Sequence, residues 1–315
     1  MSIEKLLPKI QKNISLAKYT TFKIGGPAQY FFIAKNKNDL IKAIKAAKKL
    51  KLRFFILGGG SNVLFSDKGF NGLVIKIQDS RFKIQDSKIY AEAGAKLKNI
   101  VNLAAKKLLT GLEWAAGIPG TVGGAVYGNA GAFDSVTGDV VESVEVLDFK
   151  TLRIKDFSKK DCKFSEKDTV FKNRKNLIIL SVVLKLKKGD KKQIQKKIKE
   201  YLNYRKKSHP FNFSSAGCAF ENYKKKIKSQ KLLKEFPKLK EFNKIGMIPA
   251  AFLVEESGLK GKKIGGAQIS TKHANFIVNL KKAKAKDVIK LIKLAKQKVK
   301  KKFRVNLKEE VRIVN

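Results

Sequence analysis

Residues 53–62 read RFFILGGGSN, an apolar strand pattern that runs directly into three glycines and a Ser-Asn pair. Glycines let backbone N–H groups approach a phosphate closely. The loop lacks the GK[ST] of a Walker A loop and the G-x-G-x-x-G of a Rossmann fingerprint. On this stretch alone, a tight turn between two strands is the favoured interpretation.

A second glycine-rich stretch changes that interpretation. Residues 111–133 read GLEWAAGIPGTVGGAVYGNAGAF, and the last eighteen of them hold six glycines. They follow neither helical nor strand periodicity, which predicts an irregular segment lying against something flat or extended. Two glycine-rich loops in one domain suit a dinucleotide, which has a diphosphate and a planar ring.

The elements around these loops predict a chain of α/β and α+β character. Residues 38–50 have the spacing of an amphipathic helix capped near Asn38, and the strand pattern GLVIKI follows the first glycine loop. Residues 76–157 are rich in strand patterns, and a lysine-rich helix at about 190–207 forms a bridge. Helices and strands then alternate up to a final strand, LKEEVRIVN.

The charge of the chain is strongly positive, with 70 Lys+Arg against 26 Asp+Glu and a net charge of +44. Such a balance first indicates nucleic acid. However, the lysines lie on the solvent faces of predicted helices along the whole chain, and lysine far outnumbers arginine, which base readout favours. We therefore expect no nucleic-acid partner. No apolar run approaches the length of a membrane span, and the N-terminus has no apolar core long enough for a signal peptide, so we also expect no membrane partner and a cytoplasmic location. We further expect a monomer.

Cys218, in SSAGCAFENY (residues 214–223), is one of two cysteines. Two cysteines in 315 residues make no disulfide framework, and no CxxC pair is present to hold zinc. Cys162 lies in a separate segment, so we expect two reduced thiols. Cys218 is then either a small buried packing residue or a group that does chemistry.

Six blocks of the sequence, in this order, resemble one family. They are YTTFKIGGPA, LGGGSNVLFSDKGFNGLVI, GLEWAAGIPGTVGGAVYGNAGA, SSAGCAFEN, AAFLVEESGLKGKKIGGAQIS with the following KHANFIVN, and EEVRIV. Together they closely resemble the UDP-N-acetylenolpyruvoylglucosamine reductases, the MurB family of peptidoglycan synthesis. No insert between Val141 and Leu186 matches the extra tyrosine-bearing loop of one form of the family, so the chain resembles the form without it.

The resemblance implies an FAD-binding domain of the vanillyl-alcohol-oxidase (PCMH) type at residues 1–205, with lobes at about 1–75 and 76–205. It also implies a substrate-binding domain at residues 206–303 and a C-terminal strand, 304–315, that returns to the active site. FAD would be noncovalent and NADPH the hydride donor. The substrate would be UDP-N-acetylglucosamine enolpyruvate, reduced to UDP-N-acetylmuramate.

The resemblance also implies which residues meet the cofactor. The FAD diphosphate would be met by Gly58, Gly59, Gly60, Ser61 and Asn62. The isoalloxazine and adenine side would be lined by Thr121, Gly123, Gly124, Gly128, Asn129, Ala130 and Gly131.

Reduction of an enolpyruvyl group needs an acid to protonate one carbon and groups to stabilise charge on the carboxylate. Cys218 occupies the position where the family typically has a serine proton donor, and a thiol is the stronger acid. Glu310 matches the catalytic glutamate of the family, with Glu309 as the competitor. Because neighbouring strand residues point to opposite faces, we expect only one of them to reach the site.

The third catalytic group of the family is an arginine, and Lys167 stands at its position. Lysine keeps the charge but loses the bidentate fork, and Arg174 is off register. An exposed loop lysine is the alternative interpretation. Asn222, His273 and Asn275 match positions of the substrate domain, whereas His209 is expected to be structural. The segment 223–244 predicts a solvent-facing helical insert.

Overall fold

The computed structural model describes residues 2–315. Its α-helices are α1 (Ile3–Leu6), α2 (Lys37–Lys49), α3 (Leu97–Lys106), α4 (Val122–Gly128), α5 (Thr137–Val140), α6 (Val170–Asn173), α7 (Lys191–Ser208), α8 (Gln230–Glu235), α9 (Lys238–Ile245), α10 (Ala250–Glu256) and α11 (Ala285–Phe303). Short 3₁₀ helices lie at Leu16–Tyr19 and Glu113–Ala115.

The strands follow the same numbering along the chain. They are β1 (Gln11–Ser15), β2 (Pro27–Ala34), β3 (Phe54–Leu57), β4 (Val63–Phe65), β5 (Phe70–Ile77), β6 (Phe82–Gln85), β7 (Lys88–Glu92), β8 (Leu109–Thr110), β9 (Gly131–Ala132), β10 (Ser135–Val136), β11 (Val141–Asp148), β12 (Arg153–Ser158), β13 (Leu177–Lys185), β14 (Lys187–Lys188), β15 (Ser214–Cys218), β16 (Lys263–Ile264), β17 (Ala267–Ile269), β18 (Phe276–Asn279) and β19 (Arg312–Val314).

The chain forms two compact units, and neither is continuous in sequence. The first unit comprises residues 1–14, 28–59 and 71–207, and the second comprises residues 15–27, 60–70 and 208–315. The glycine loop therefore passes from one unit to the other between Gly59 and Gly60. The sequence analysis predicted an uninterrupted domain at 1–205, whereas residues 15–27 and 60–70 belong to the second unit.

The first unit contains two large sheets and two two-stranded ones, β9 with β10 and β8 with β14. One large sheet has the order β1-β2-β5-β3, and its strands β3 and β5 run parallel. Helix α2 lays its buried apolar face, including Leu40 and Ile44, onto this sheet. The helix is capped by Asn36, close to the expected Asn38, and the Asn36 side chain accepts a hydrogen bond from the Asp39 N–H at 2.8 Å.

The other large sheet of the first unit is antiparallel and has the order β12-β11-β13-β7-β6. One face packs with α3 and α4 around a core that includes Ile100, Trp114 and Val126. Ile178 and Leu180 of β13 pack instead into the core that also holds α2. The two lobes expected within the first unit therefore share an apolar contact.

The second unit is an α+β arrangement. Its four-stranded sheet has the order β15-β18-β17-β16 and is covered by α10 and α11 through residues such as Leu253, Leu291 and Phe303. Strand β19 pairs in parallel with β4, which directly follows the glycine loop. The last strand of the chain is thus attached to the segment that begins with Gly60.

Three local predictions from the sequence need correction. The stretch 111–133, predicted to be irregular, contains the helix α4, because glycines can occupy a helix although they weaken the periodic signal that identifies one. The segment 223–244 is helical as expected, with the short helices α8 and α9, but it does not only face solvent, because Ile227, Leu232 and Leu239 are buried in the core of the second unit. The final strand begins only at Arg312, so Glu309 and Glu310 precede it.

None of the helices in residues 2–315 is long and apolar enough to cross a membrane.

Candidate active site

Two glycine-rich segments cross within the first unit. Gly58 and Gly59 follow β3, and Gly120 and Thr121 precede α4. A Cβ on Gly59 would lie 2.5 Å from the Gly120 Cα, and one on Gly58 would lie 2.9 Å from the Thr121 Oγ1. The two backbones therefore meet with no side chain between them, at the carboxyl end of parallel strands, where α/β sheets bind ligands.

The second segment leaves part of its backbone open. Thr121 caps α4 by accepting a hydrogen bond from the Gly124 N–H at 3.3 Å, and Gly124 is exposed. A Cβ on Gly128 would meet nothing within 4 Å, whereas one on Gly123 would collide with Ala93. Gly123 thus permits close packing, while Gly124 and Gly128 leave an uncovered backbone surface. Such a surface accommodates a diphosphate or the face of a planar ring.

Asn129, at the end of α4, has a structural task in addition to its predicted one. It is buried in the left-handed region, with φ of 41°. Its side chain donates to the Ser165 carbonyl at 2.7 Å and accepts from the Gly138 N–H at 2.9 Å. The amide therefore holds two neighbouring loops against α4, so its contribution to a cofactor site would be to fix the shape of that site.

The loop that carries Lys167 is one of these neighbours. Lys167 is half-buried in a turn closed by Ser165 and Asp168, and its φ is 56°. Thr169 ties the loop to α4 by donating to the Tyr127 carbonyl at 2.9 Å. The structure therefore brings Lys167 close in the fold to the glycine-rich segment, while Arg174 is exposed at the end of α6.

One basic residue of this region was missed from the sequence. Lys76 on β5 lies in register with Leu57 on β3, and its Nζ donates to the Gly58 carbonyl. Burial, together with the smaller effect of the nearby charge of Lys96, lowers the pKa of Lys76 to about 8. The sequence did mark this residue, because Lys76 is the single lysine in the otherwise apolar strand GLVIKI. The pattern does not reveal which group the lysine contacts.

Cys218 lies in the second unit, at the end of β15. Between Ser215 and Cys218 the strand has one more residue than its partner β18, which is a bulge. Gly217 takes the left-handed φ of 79° that the bulge requires. Bulges re-aim side chains and are frequent beside active sites. Cys218 itself is only half-buried, so a substrate can reach its thiol.

Cys162 has the opposite environment. It is fully buried in the core of the first unit, and burial raises the pKa of its thiol to about 12. Because the thiolate is the nucleophile, Cys162 will be inert at neutral pH.

We therefore expect iodoacetamide at pH 7.5 to label the native protein on Cys218 and to leave Cys162 unmodified. Peptide mass spectrometry after a short exposure measures the two sites separately. Labelling both sites at equal rates would contradict the difference in burial, and unfolding in guanidinium should make both reactive.

Glu310 lies beside the cysteine segment. Its N–H donates to the carbonyl of Ala219, the residue after Cys218, at 2.9 Å. Its own carbonyl accepts from the Asn62 side chain at 3.1 Å, and the Arg312 N–H donates to the Asn62 carbonyl. The second unit therefore joins three of the predicted site residues, Cys218, Glu310 and Asn62, through adjacent backbone segments.

The neighbouring carboxylate is engaged elsewhere. Glu309 forms a salt bridge of 2.8 Å with Lys296 on α11. The sequence analysis distinguished Glu309 from Glu310 by the alternation of strand residues. In the fold, the two differ because the carboxylate of Glu309 is held in an ion pair with Lys296.

The three predicted substrate residues make contacts inside the second unit. Asn275 is buried, and its amide both donates to the carbonyl and accepts from the N–H of Phe220, at 2.8 and 3.0 Å. Asn222 accepts from the Ala250 N–H at the start of α10. Burial lowers the pKa of His273, which packs against Phe276. Asn275 thus holds the chain just after Cys218, and His273 is neutral at pH 7.

Two family models match successive parts of this chain. Residues 28–154 match the family described as "FAD binding domain", and residues 209–314 match "UDP-N-acetylenolpyruvoylglucosamine reductase, C-terminal domain". These matches confirm the expected fold class, an FAD-binding domain with an α+β partner.

Individual relatives span nearly the whole chain. The UDP-N-acetylenolpyruvoylglucosamine reductase of Caldanaerobacter subterraneus is 40% identical over 97% of this chain and 94% of its own. That of Caldicellulosiruptor bescii is 40% identical over 96% and 90%. The crystal structure of UDP-N-acetylenolpyruvylglucosamine reductase (MurB) from Thermus caldophilus has a TM-score of 0.76 and 30% identity over 98% of this chain and 99% of that one. With such similarity from end to end, the chain belongs to the UDP-N-acetylenolpyruvoylglucosamine reductase family.

Proposed function

We propose that this protein reduces UDP-N-acetylglucosamine enolpyruvate to UDP-N-acetylmuramate in peptidoglycan precursor synthesis, with noncovalent FAD and with NADPH as the hydride donor. The observation that carries the proposal is the attachment of Glu310 to the residue after Cys218, in a chain of this family. A cytoplasmic monomer that acts on a nucleotide sugar, without nucleic acid or membrane, is the proposed setting.

The cofactor would be held by the two glycine-rich segments. Gly58 to Asn62 would offer backbone N–H groups to the diphosphate. Thr121, Gly123, Gly124, Gly128, Asn129, Ala130 and Gly131 would line the isoalloxazine and adenine. The crossing at Gly59 and Gly120 supports this fit, because it keeps the backbone free of side chains. Bound FAD would supply the redox chemistry, the transfer of a hydride from NADPH to the enolpyruvyl group.

Cys218 would protonate the other carbon of the enolpyruvyl group. An unperturbed thiol has a pKa of about 8.5, so it is protonated at neutral pH and is a much stronger acid than a hydroxyl. The bulge at Gly217 supports this role, because it sets the direction of the side chain that follows. Asn275 would keep that geometry by fixing the backbone of Phe220.

Negative charge that develops on the substrate carboxylate must be stabilised. Lys167 would supply a positive charge, as the arginine of the family would, but without a bidentate fork. Glu310 would act beside the thiol. Asn222, His273 and Asn275 would form the substrate side, with His273 neutral and with the amides of Asn222 and Asn275 acting mainly through the backbone that they hold.

The test is NADPH oxidation by the purified protein with and without UDP-N-acetylglucosamine enolpyruvate. We expect a yellow protein whose steady NADPH oxidation requires the enolpyruvyl substrate. Oxidation of a hydroxyacid or sugar instead would indicate a different flavoenzyme of the same fold. A colourless protein that takes up no FAD would overturn the proposal and favour a basic binding protein.

Three single substitutions rank the charged residues. Glu310→Gln should slow reoxidation of the reduced flavin by substrate about tenfold, the usual effect of losing a hydrogen bond to a charged group. Lys167→Ala should have a smaller effect, because lysine departs from the family pattern. Glu309→Gln is the matched control and should retain the wild-type rate, since Lys296 occupies that carboxylate. Equal losses for Glu309→Gln and Glu310→Gln in single-turnover stopped flow would contradict the assignment.

A further inference from the structure

Lys76 is a half-buried cation for which the sequence analysis found no role. It lies near the end of β5 in the first unit, in register with Leu57, and its ammonium group donates to the Gly58 carbonyl. A lysine that only filled this space could be replaced by an apolar residue, since its strand neighbours Val74, Ile75 and Ile77 are all buried. A charge that is partly removed from water costs free energy, unless a group of opposite charge pairs with it.

The second basic group in this region increases that cost. Lys96 lies where its backbone bridges to Thr121, so it flanks the other glycine-rich segment. Burial and the charge of Lys96 together lower the pKa of Lys76 to about 8, and no carboxylate of residues 2–315 contributes to the shift. Two like charges therefore flank the crossing of Gly58–Gly59 and Gly120–Thr121 without an acidic partner for Lys76. An anion at the crossing would supply one.

The contact with Gly58 also has a geometric consequence. The Gly58 carbonyl and the Gly59 N–H belong to one planar trans peptide, so they point in opposite directions. A lysine that holds the carbonyl on one side therefore fixes the N–H on the other side. It also keeps the carbonyl dipole from turning toward an anion bound at the loop.

We propose that Lys76 is a positioning residue of the cofactor site, which holds the Gly58 carbonyl so that the Gly59 N–H faces the FAD diphosphate and which adds its own positive charge to the attraction. This inference rests on the proposed function, since it assumes that FAD binds at Gly58 to Asn62. Lys76 acts through the loop peptide and takes no part in hydride or proton transfer.

The sign of the pH dependence follows from the charge. An anion favours the protonated ammonium, so FAD binding raises the pKa of Lys76 above its value of about 8 in the apoprotein. Affinity for FAD is then greatest below pH 8 and falls as the pH rises above it, by up to about tenfold per pH unit. Lys96, the charged group that acts on Lys76, is the other cation to follow, and Lys96→Met should reduce the affinity without removing the pH dependence.

The experiment measures the dissociation constant of FAD for the deflavinated protein between pH 7 and pH 9, by flavin fluorescence. At pH 7 Lys76→Met should bind FAD at least about tenfold more weakly than the wild type, the effect of one charge-assisted hydrogen bond. Its affinity should be independent of pH, and the wild type should approach it at pH 9. Lys76→Arg should restore binding and also lose the pH dependence, because the guanidinium stays charged.

A merely structural lysine would behave differently. Loss of a structural contact lowers the melting temperature of the apoprotein, whereas removing a partly desolvated charge that has no carboxylate partner should leave it unchanged or raise it. Lys83→Met, which removes one charge from the exposed strand β6, is the control for the net charge and should bind FAD like the wild type.

Two results would overturn the inference: an unchanged dissociation constant in Lys76→Met, or weaker binding together with a destabilised apoprotein. A wild type that binds no FAD would instead overturn the proposed function.

Discussion

Cys218→Ala will bind FAD and be reduced by NADPH like the wild type, but its reduced flavin will be reoxidised by substrate about 10²–10⁴-fold more slowly. The range is the usual contribution of a positioned general acid. Neither flavin binding nor the NADPH half-reaction uses the acid, so the defect should be confined to one half-reaction. Stopped-flow absorbance resolves the two, because the flavin bleaches in the first and regains its yellow colour in the second.

Two further variants separate acid chemistry from packing. Cys218→Ser should stay active, because a hydroxyl can donate a proton, although its higher pKa should slow the step. Cys162→Ala is the matched control, since it removes the other thiol from the core of the first unit and should keep the wild-type rate of reoxidation. Alkylation of Cys218 should reproduce the alanine defect, with substrate giving protection. If the alanine variant recovers its colour as fast as the wild type, the thiol is a packing residue.

Strong periodicity made most of the fold predictable. The apolar spacing of α2, α3 and α11 and the alternation of β7 and β11 all appear in the sequence, because in each element one face packs into a core. Helix α4 was hidden for the converse reason. Four of its seven residues are Gly or Ala, so the packing of Gly123 against Ala93, rather than an apolar stripe, holds it in place.

The division into units was beyond local reasoning. Residues 15–27 and 60–70 belong with the C-terminal half through contacts such as the β4–β19 pairing and the hydrogen bond from the Asn279 side chain to the Phe22 carbonyl at 3.0 Å. These contacts join residues more than two hundred positions apart, and no pattern inside either short segment encodes them. Family resemblance supplied the order of blocks, but not which block packs on which.

For the site residues, too, the sequence indicated some features and only the fold revealed others. Resemblance indicated Cys218 and Glu310, and the fold adds the physical connection, a backbone hydrogen bond from Glu310 to Ala219. The engagement of Glu309 by Lys296 depends on where α11 lies, which the sequence around EEVRIV does not reveal. Lys76 was overlooked because the chain has 70 basic residues, and the sequence does not show which of them are partly buried.

Gly59→Ala will weaken FAD binding by about 100-fold, because its methyl group would lie 2.5 Å from the Gly120 Cα and 3.0 Å from the Gly120 carbonyl carbon. Backbone on both sides cannot rotate away, so the two glycine-rich segments must separate, and a displacement of about 1 Å in a binding constellation can cost a factor of that size. Gly58→Ala is the matched control, since its methyl group would meet only the Thr121 Oγ1, a side-chain atom that can move, and we expect a loss of a few-fold. The dissociation constants of the two deflavinated variants, measured by flavin fluorescence with circular dichroism to verify folding, compare the positions directly. Wild-type affinity in both folded variants would mean that the crossing of the two segments is not part of the cofactor site.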